Sequence, residues 1–199
     1  ELMKFIDKIA PTDSTVLIQG ESGTGKELVA NMIWKRSRRK DRPLIALNCS
    51  TFSENLMESE LFGHEKGAFT SAYRVKHGLV EAAGEGTLFL DEIGEMPLGL
   101  QAKLLRFLDA GEFRRVGGNK TLRSGARIIA ATNKNLEEEI KTGQFREDLF
   151  YRLNVINILL PPLRERKEDI APLAEYFIEK YMRKLAKDIK GIEPGALKL

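Results

Sequence analysis

The stretch "TVLIQGESGTGKELVANMI", residues 15–33, decides the fold. An apolar, β-rich run at 15–19 leads into "GESGTGK" at 20–26, which has the G-x-x-x-x-G-K spacing of a phosphate-binding loop. A helical pattern follows over 26–36. Strand, glycine-rich turn and helix in that order are the setting in which such a loop works. The glycines let backbone N–H groups turn inward on phosphate oxygens. The helix N-terminus adds partial positive charge, and Lys26 reaches the terminal phosphates. The competing reading is a ligand-free glycine-rich turn, and the full spacing with its lysine argues against it. One position departs from the general pattern: Glu27 stands where a Ser or Thr hydroxyl ordinarily meets Mg²⁺. Its charge repels a bare phosphate and is tolerable with a metal ion or water between them.

A second segment supplies what the loop lacks. "GTLFLDE" at 86–92 is an apolar strand ending in two acids. Asp91 is placed for a nucleotide-bound Mg²⁺, and Glu92 for orienting or deprotonating an attacking water. The candidate nucleotide set is therefore Gly20, Glu21, Ser22, Gly23, Thr24, Gly25, Lys26, Glu27 and Asp91. Many strands end in acidic residues, so the pair means little alone; with the loop it favours a nucleotide hydrolase.

Composition bounds the rest. The 199 residues are 42% hydrophobic and 31% charged, enough for one domain with a real core. A net charge of +3 is too small to imply nucleic acid. The single cysteine, Cys49, rules out a disulfide framework and suits a reducing cytosol. No apolar run approaches the roughly 20 residues that span a bilayer, so a cytoplasmic protein without membrane contact is expected. The chain begins with Glu1 and ends inside a helical pattern, and it reads as a piece of a longer protein.

Further strands are expected at 44–49, 87–92, 127–132 and 155–160, mostly without alternation, as in strands buried on both faces of a parallel sheet. Helices are expected at 53–62, 98–109 (Pro97 opening it), 135–142 (Asn135 and Glu138 as a cap pair) and 168–187, with another opening at Pro194. Residues 111–126 read as a hairpin turning at 117–119. Alternating strands and helices give an α/β layered fold.

"ESELFGHEKGAFTSAYR" at 58–74 has neither helical nor strand period, and pattern alone makes it a surface loop with partly buried aromatics. With "GESGTGKE" 20–27, "LNC" 47–49, "GTLFLDEIGEM" 86–96, "AATN" 130–133, "FREDLFYRLN" 145–154 and "LPPLRERKEDI" 160–170, however, the chain resembles the AAA+ domain of bacterial sigma-54-dependent transcription activators. Glu27 is usual in that family. The resemblance implies an α/β P-loop AAA+ three-layer core over 1–163, its five-stranded parallel sheet having strand 1 central. A partial helical lid follows over 164–199. It also implies ATP with Mg²⁺, a ring oligomer, commonly a hexamer, and remodelling of sigma-54 RNA polymerase at promoters. DNA contact is left to a C-terminal domain outside these residues.

By the same resemblance, Asn48 hydrogen-bonds the catalytic Glu92, while Thr132 and Asn133 sense the γ-phosphate. Arg146 and Arg152 are offered in trans to the neighbour's ATP; without the family they read as ordinary helix ion pairs. Gly67, Ala68, Phe69, Thr70, Ser71 and Ala72 form the sigma-54-contacting loop, with Phe69 and Thr70 making the contact. Ser71 stands where the family has glycine, and its Cβ restricts positive φ. Another AAA+ remodeller would share the ATPase residues without needing this loop. A non-hydrolysing, nucleotide-gated regulatory module is the alternative from a different class. The basic run at 35–42 reads as a solvated helix end, and the widely separated His64 and His77 as no metal site.

Overall fold

The computed structural model describes residues 2–185 and 191–192. Five strands form one parallel sheet: β1 (Val16–Gln19), β2 (Leu44–Asn48), β3 (Thr87–Asp91), β4 (Arg127–Thr132) and β5 (Ile156–Leu159), in the order β2-β3-β4-β1-β5. Every residue of β4 is buried, as are Thr87–Leu90 of β3, whereas the edge strands β2 and β5 are partly exposed. Strands covered on both faces have no use for alternating polarity, which is why these runs are continuously apolar. β4 occupies the middle position and β1 lies one place off centre, between β4 and β5. This corrects the expectation of a central first strand: the chain adds only β5 beyond β1 but three strands on its other side.

The helices are α1 (Leu2–Ile9), α2 (Lys26–Arg36), α3 (Glu54–Phe62), α4 (Leu79–Ala83), α5 (Leu98–Ala110), α6 (Leu136–Lys141), α7 (Glu147–Leu153) and α8 (Ile170–Leu185). Side chains alternate across the sheet and divide its core in two. Leu17, Leu88, Leu90, Ile128 and Ala130 pack with Leu61 and Phe62 of α3, Leu100 and Leu104 of α5, and Leu149 of α7. Val16, Ile18, Phe89, Ile129 and Ala131 face the other way, onto Ile6 and Ile9 of α1 and Val29, Ala30 and Ile33 of α2. Helix, sheet and helix make three layers.

The expected helices and strands agree to within a residue or two. Asn135 caps α6 by accepting from the N–H groups of Glu137 and Glu138 at 3.1 and 3.4 Å. The hairpin pairs Glu112–Phe113 with Leu122–Arg123, but its hydrogen-bonded turn runs from the Arg115 carbonyl to the Gly118 N–H, earlier than expected.

The basic run at 35–42 is not wholly solvated. Arg39 donates to the carbonyls of Glu85, Gly86 and Gly125 at 3.0, 3.0 and 2.5 Å and pairs with Asp13 at 2.9 Å. Residues from Pro161 onward form a second compact unit, with 3-10 turns at Leu163–Glu165 and Lys167–Asp169 before α8. Residues 186–187 of the helix expected at 168–187, and the one opening at Pro194, lie outside the described residues. No helix among the described residues is long and apolar enough to cross a membrane.

Arg127 opens β4 beneath this core and is buried. Its guanidinium donates to Ala10 O at 2.7 Å, Ser14 O at 3.1 Å and Ile9 O at 3.2 Å, satisfying carbonyls at the end of α1. Burial pushes its pKa down to about 10, and nearby Asp13 works against that shift. Arg127→Ala is expected to cost about 2–4 kcal/mol, because three carbonyls lose a buried partner. Urea unfolding, compared with an exposed control such as Arg123→Ala, checks this.

Candidate active site

Parallel register brings the strand ends level: Gln19 lies beside Thr132, and Asn48 beside Asp91. Ligands of open α/β sheets bind at this carboxyl edge. The glycine-rich loop leaves β1 here, with the Gly20 N–H donating to Thr132 O at 3.2 Å. A Cβ at Gly20 would sit 2.8 Å from the Leu160 carbonyl and 2.9 Å from Thr24 Oγ1, so the turn needs glycine. Thr24 Oγ1 donates to Glu21 O at 2.8 Å. Lys26 is buried, and its ammonium donates to Gly20 O at 3.0 Å and Glu21 O at 3.2 Å. The same ammonium lies 3.6 Å from Glu92 Oε1. Loop and acidic strand therefore meet through one lysine. Ser22, Gly23 and Glu27 are exposed, Glu27 in the first turn of α2.

Asp91 ends β3, and Glu92 follows with φ 50 and ψ 49, the only non-glycine at positive φ among the described residues. That conformation costs about 1–2 kcal/mol. It aims the Glu92 carboxylate back across the edge, where Oε2 accepts the Asn133 N–H at 3.1 Å. The Glu92 N–H donates to Asp91 Oδ1 at 3.0 Å. Burial raises the Asp91 pKa, and the charge of Glu92 raises it further against the pull of Lys26. Burial also pushes the Cys49 thiol up to about 12, with Asp91 and Glu92 adding to the effect. Cys49 is packing.

Asn48 meets Asp91 rather than Glu92. Its Nδ2 donates to Asp91 Oδ2 at 3.4 Å, while its Oδ1 accepts from the Ser50 N–H at 2.9 Å and Ser50 Oγ at 2.6 Å. Thr132 is buried at the end of β4, its Oγ1 accepting the Lys134 N–H at 3.0 Å. Lys26, Asp91, Glu92, Asn48, Thr132 and Asn133 thus gather on one edge. Arg146 and Arg152 do not join them. Arg146 pairs with Asp148 at 2.6 Å, and Arg152 with Asp109 at 3.1 Å and the Leu108 carbonyl at 3.1 Å.

The loop at 67–72 stands on a narrow neck in which Gly63–His64 pairs antiparallel with Lys76–His77. A Cβ at Gly63 would run into the Lys76 carbonyl, and one at Gly78 into the Gly63 nitrogen. Phe69 is 41% exposed and packs edge-on to His64, ring centroids 4.8 Å apart. Ala72 is buried and closes the loop through Gly67 N–H to Ala72 O at 2.8 Å. Thr70 and Ser71 are exposed, and Ser71 keeps negative φ, so its Cβ meets no backbone conflict here.

Arg115 on the hairpin holds the neck from the side: it donates to Glu65 at 2.9 Å and to both oxygens of Glu81 at 2.9 Å. Sequence reading missed it, since these partners lie 50 and 34 residues away with no local spacing to mark them.

Burial pushes the Glu81 pKa up, but hydrogen bonds from His77 and Arg115 outweigh it and hold the carboxyl below its ordinary value. A lowered folded pKa gives stability that is present above the unfolded value and lost as pH falls through the folded one. Glu81→Gln should therefore be less stable by about 1 kcal/mol at neutral pH. The gap should close as the wild-type carboxylate protonates below about pH 4. Urea unfolding of both proteins across pH 3–8 checks this.

Residues 1–159 match the family described as the sigma-54 interaction domain, and residues 164–199 the AAA+ ATPase lid domain. The chain is 57% identical, over all 199 residues, to the regulatory protein AtoC of Escherichia coli (strain K12), covering 43% of that protein. It is 55% identical over the same length to the Nif-specific regulatory protein of Klebsiella pneumoniae, covering 38% of it. The chain thus spans less than half of either relative. Among solved structures, NtrX from Brucella abortus in complex with ADP superposes with a TM-score of 0.92 at 41% identity, over 98% of this chain and 43% of that one. The P-loop NTPase domain of an E. coli sigma-54 transport activator shares the fold alone, with a TM-score of 0.54 at 18% identity. By sequence and fold together, the chain belongs to the sigma-54 interaction domain family, the AAA+ module of sigma-54-dependent regulators.

Proposed function

We propose that this chain is the ATP-hydrolysing motor of a cytoplasmic sigma-54-dependent activator, with the AAA+ core over 1–163 and the start of a helical lid over 164–199. The observation that carries the reading is the 3.6 Å approach of Lys26 to Glu92, with Asp91 alongside, where the glycine-rich loop leaves the sheet. Backbone N–H groups of 20–26 and the N-terminus of α2 hold the phosphates, and Lys26 exchanges its loop carbonyls for the terminal phosphate oxygens. Glu92 orients the attacking water and takes its proton. Asn48, Thr132 and Asn133 report the nucleotide state to the loops.

Asp91 suits the Mg²⁺ that arrives with ATP. It offers hard oxygen donors, and its pKa is raised by burial first and then by the charge of Glu92, which a cation would offset. Held there by Asp91, the ion would neutralise charge developing on the phosphates.

Arg146 and Arg152 are exposed, and their surface pairs with Asp148 and with Asp109 of α5 can be exchanged for a neighbouring subunit's phosphates. Serving the neighbour's ATP, they make turnover depend on a head-to-tail ring, taken here as a hexamer. Phe69 and Thr70, carried on the neck, contact sigma-54 bound to RNA polymerase and remodel the promoter complex. DNA is reached through a further domain of the whole protein.

Glu92→Gln should retain ATP binding while turnover falls at least about 100-fold. Lys26→Ala should lose binding itself. The deciding measurement is sigma-54 binding by the full-length protein with ADP–aluminium fluoride, with ATP turnover alongside. A nucleotide-dependent complex, lost in Phe69→Ala at unchanged turnover, bears the reading out. A ring that hydrolyses ATP without binding sigma-54 is another kind of remodeller, and nucleotide binding without turnover would leave a gated regulatory module.

A further inference from the structure

Gln101 is fully buried in α5, and the nucleotide chemistry makes no use of it. Its polar atoms are spent on two separate pieces of backbone, one just upstream and one more than 40 residues downstream. Nε2 donates to Met96 O at 2.7 Å and to Gln144 O at 3.0 Å, and Oε1 accepts the Arg146 N–H at 2.8 Å. Met96 closes the 3-10 turn Ile93–Glu95 that Glu92 opens, through Glu95 N–H to Glu92 O at 2.9 Å and Met96 N–H to Ile93 O at 3.1 Å. Arg146 is the residue that opens α7, and no side-chain cap from that residue is made. The first N–H groups of a helix need partners from outside it, and here one comes from a glutamine 45 residues upstream.

We propose that Gln101 is a positioning residue that fixes the start of α7, and with it Arg146, against the turn carrying Glu92 in the same subunit. The inference rests on the proposed role of Arg146 toward the neighbouring subunit's nucleotide. A subunit's own acidic pair and the arginine it lends onward are then parts of one rigid body. Consecutive sites around the ring are linked through Gln101, because a displacement of the Glu92 turn reaches Arg146 through two hydrogen bonds and one side chain. Glutamine suits the task, since it supplies two donors and an acceptor at once. Methionine of similar length supplies no donor and only a weak sulfur acceptor, and asparagine keeps the amide one methylene short.

The test uses the full-length protein. Gln101→Met should leave the KM for ATP within about twofold while kcat falls about 10- to 100-fold, the range expected when a catalytic group is misplaced by an ångström. Mixing it with Glu92→Gln subunits separates the two halves of the site: the former keep a sound Glu92 and the latter a sound Arg146. Turnover of the mixture should rise several-fold above that of either variant alone. Should Gln101→Met not assemble, Gln101→Asn serves, a neutral amide one methylene short, with a smaller loss and the same rise on mixing. Unchanged kcat, or no rise on mixing, overturns the proposal and leaves Gln101 a core residue. Arg146→Ala is the control for the underlying reading; if that variant keeps full turnover, the role of Arg146 itself fails, whatever Gln101 does.

Discussion

The geometry of the site turns on a gap that the sheet itself creates. β4 lies between β1 and β3, so the phosphate loop and the acidic pair leave strands two places apart, about 10 Å across the sheet. Two features close that distance. Lys26 reaches from the first turn of α2 under the loop carbonyls, and the left-handed backbone at Glu92 turns its carboxylate back across the end of β4. They meet at 3.6 Å, and the Asn133 N–H steadies Glu92 from the strand in between. The strain at Glu92 is the structural consequence of placing a strand between loop and acid.

Most of this was legible in the sequence because it is local. Residues 20–26 announce a phosphate loop by spacing, and the runs at 87–91 and 127–132 announce buried strands by lacking alternation. What local pattern does not carry is lateral order and long-range pairing. That β4 rather than β1 is central depends on which strands pair, and the spacing of apolar runs says nothing about pairing. Arg39, Arg115 and Gln101 find their partners across loops, so each reads in the sequence as an ordinary polar residue. α1 was missed although Leu2, Met3, Phe5, Ile6 and Ile9 recur at helical spacing, because the reading began at the phosphate loop.

The two loops on the α3 side divide rigidity from exposure. The neck at Gly63 and Gly78 admits no side chain, and Arg115 clamps it to the hairpin. The tip beyond the neck presents Phe69, Thr70, Ser71 and the 81%-exposed Tyr73 to solvent. An apolar ring kept at the surface by a stiff base is suited to binding a partner, because little conformational freedom remains to be lost on contact.

This division also bears on Ser71. A glycine at the tip would widen the backbone conformations open to the loop. The path of the loop is fixed lower down, by the neck, by the buried Ala72 and by the Gly67–Ala72 hydrogen bond. Ser71 lies inside that closed frame with negative φ and an exposed side chain, so replacing glycine there removes freedom from the free loop without obstructing its present shape. Such a change lowers the entropy lost when the loop is held in this conformation. It opposes any conformation that needs positive φ at 71. In the proposed contact with sigma-54, serine therefore helps if residue 71 keeps negative φ on binding and hinders if it must turn positive.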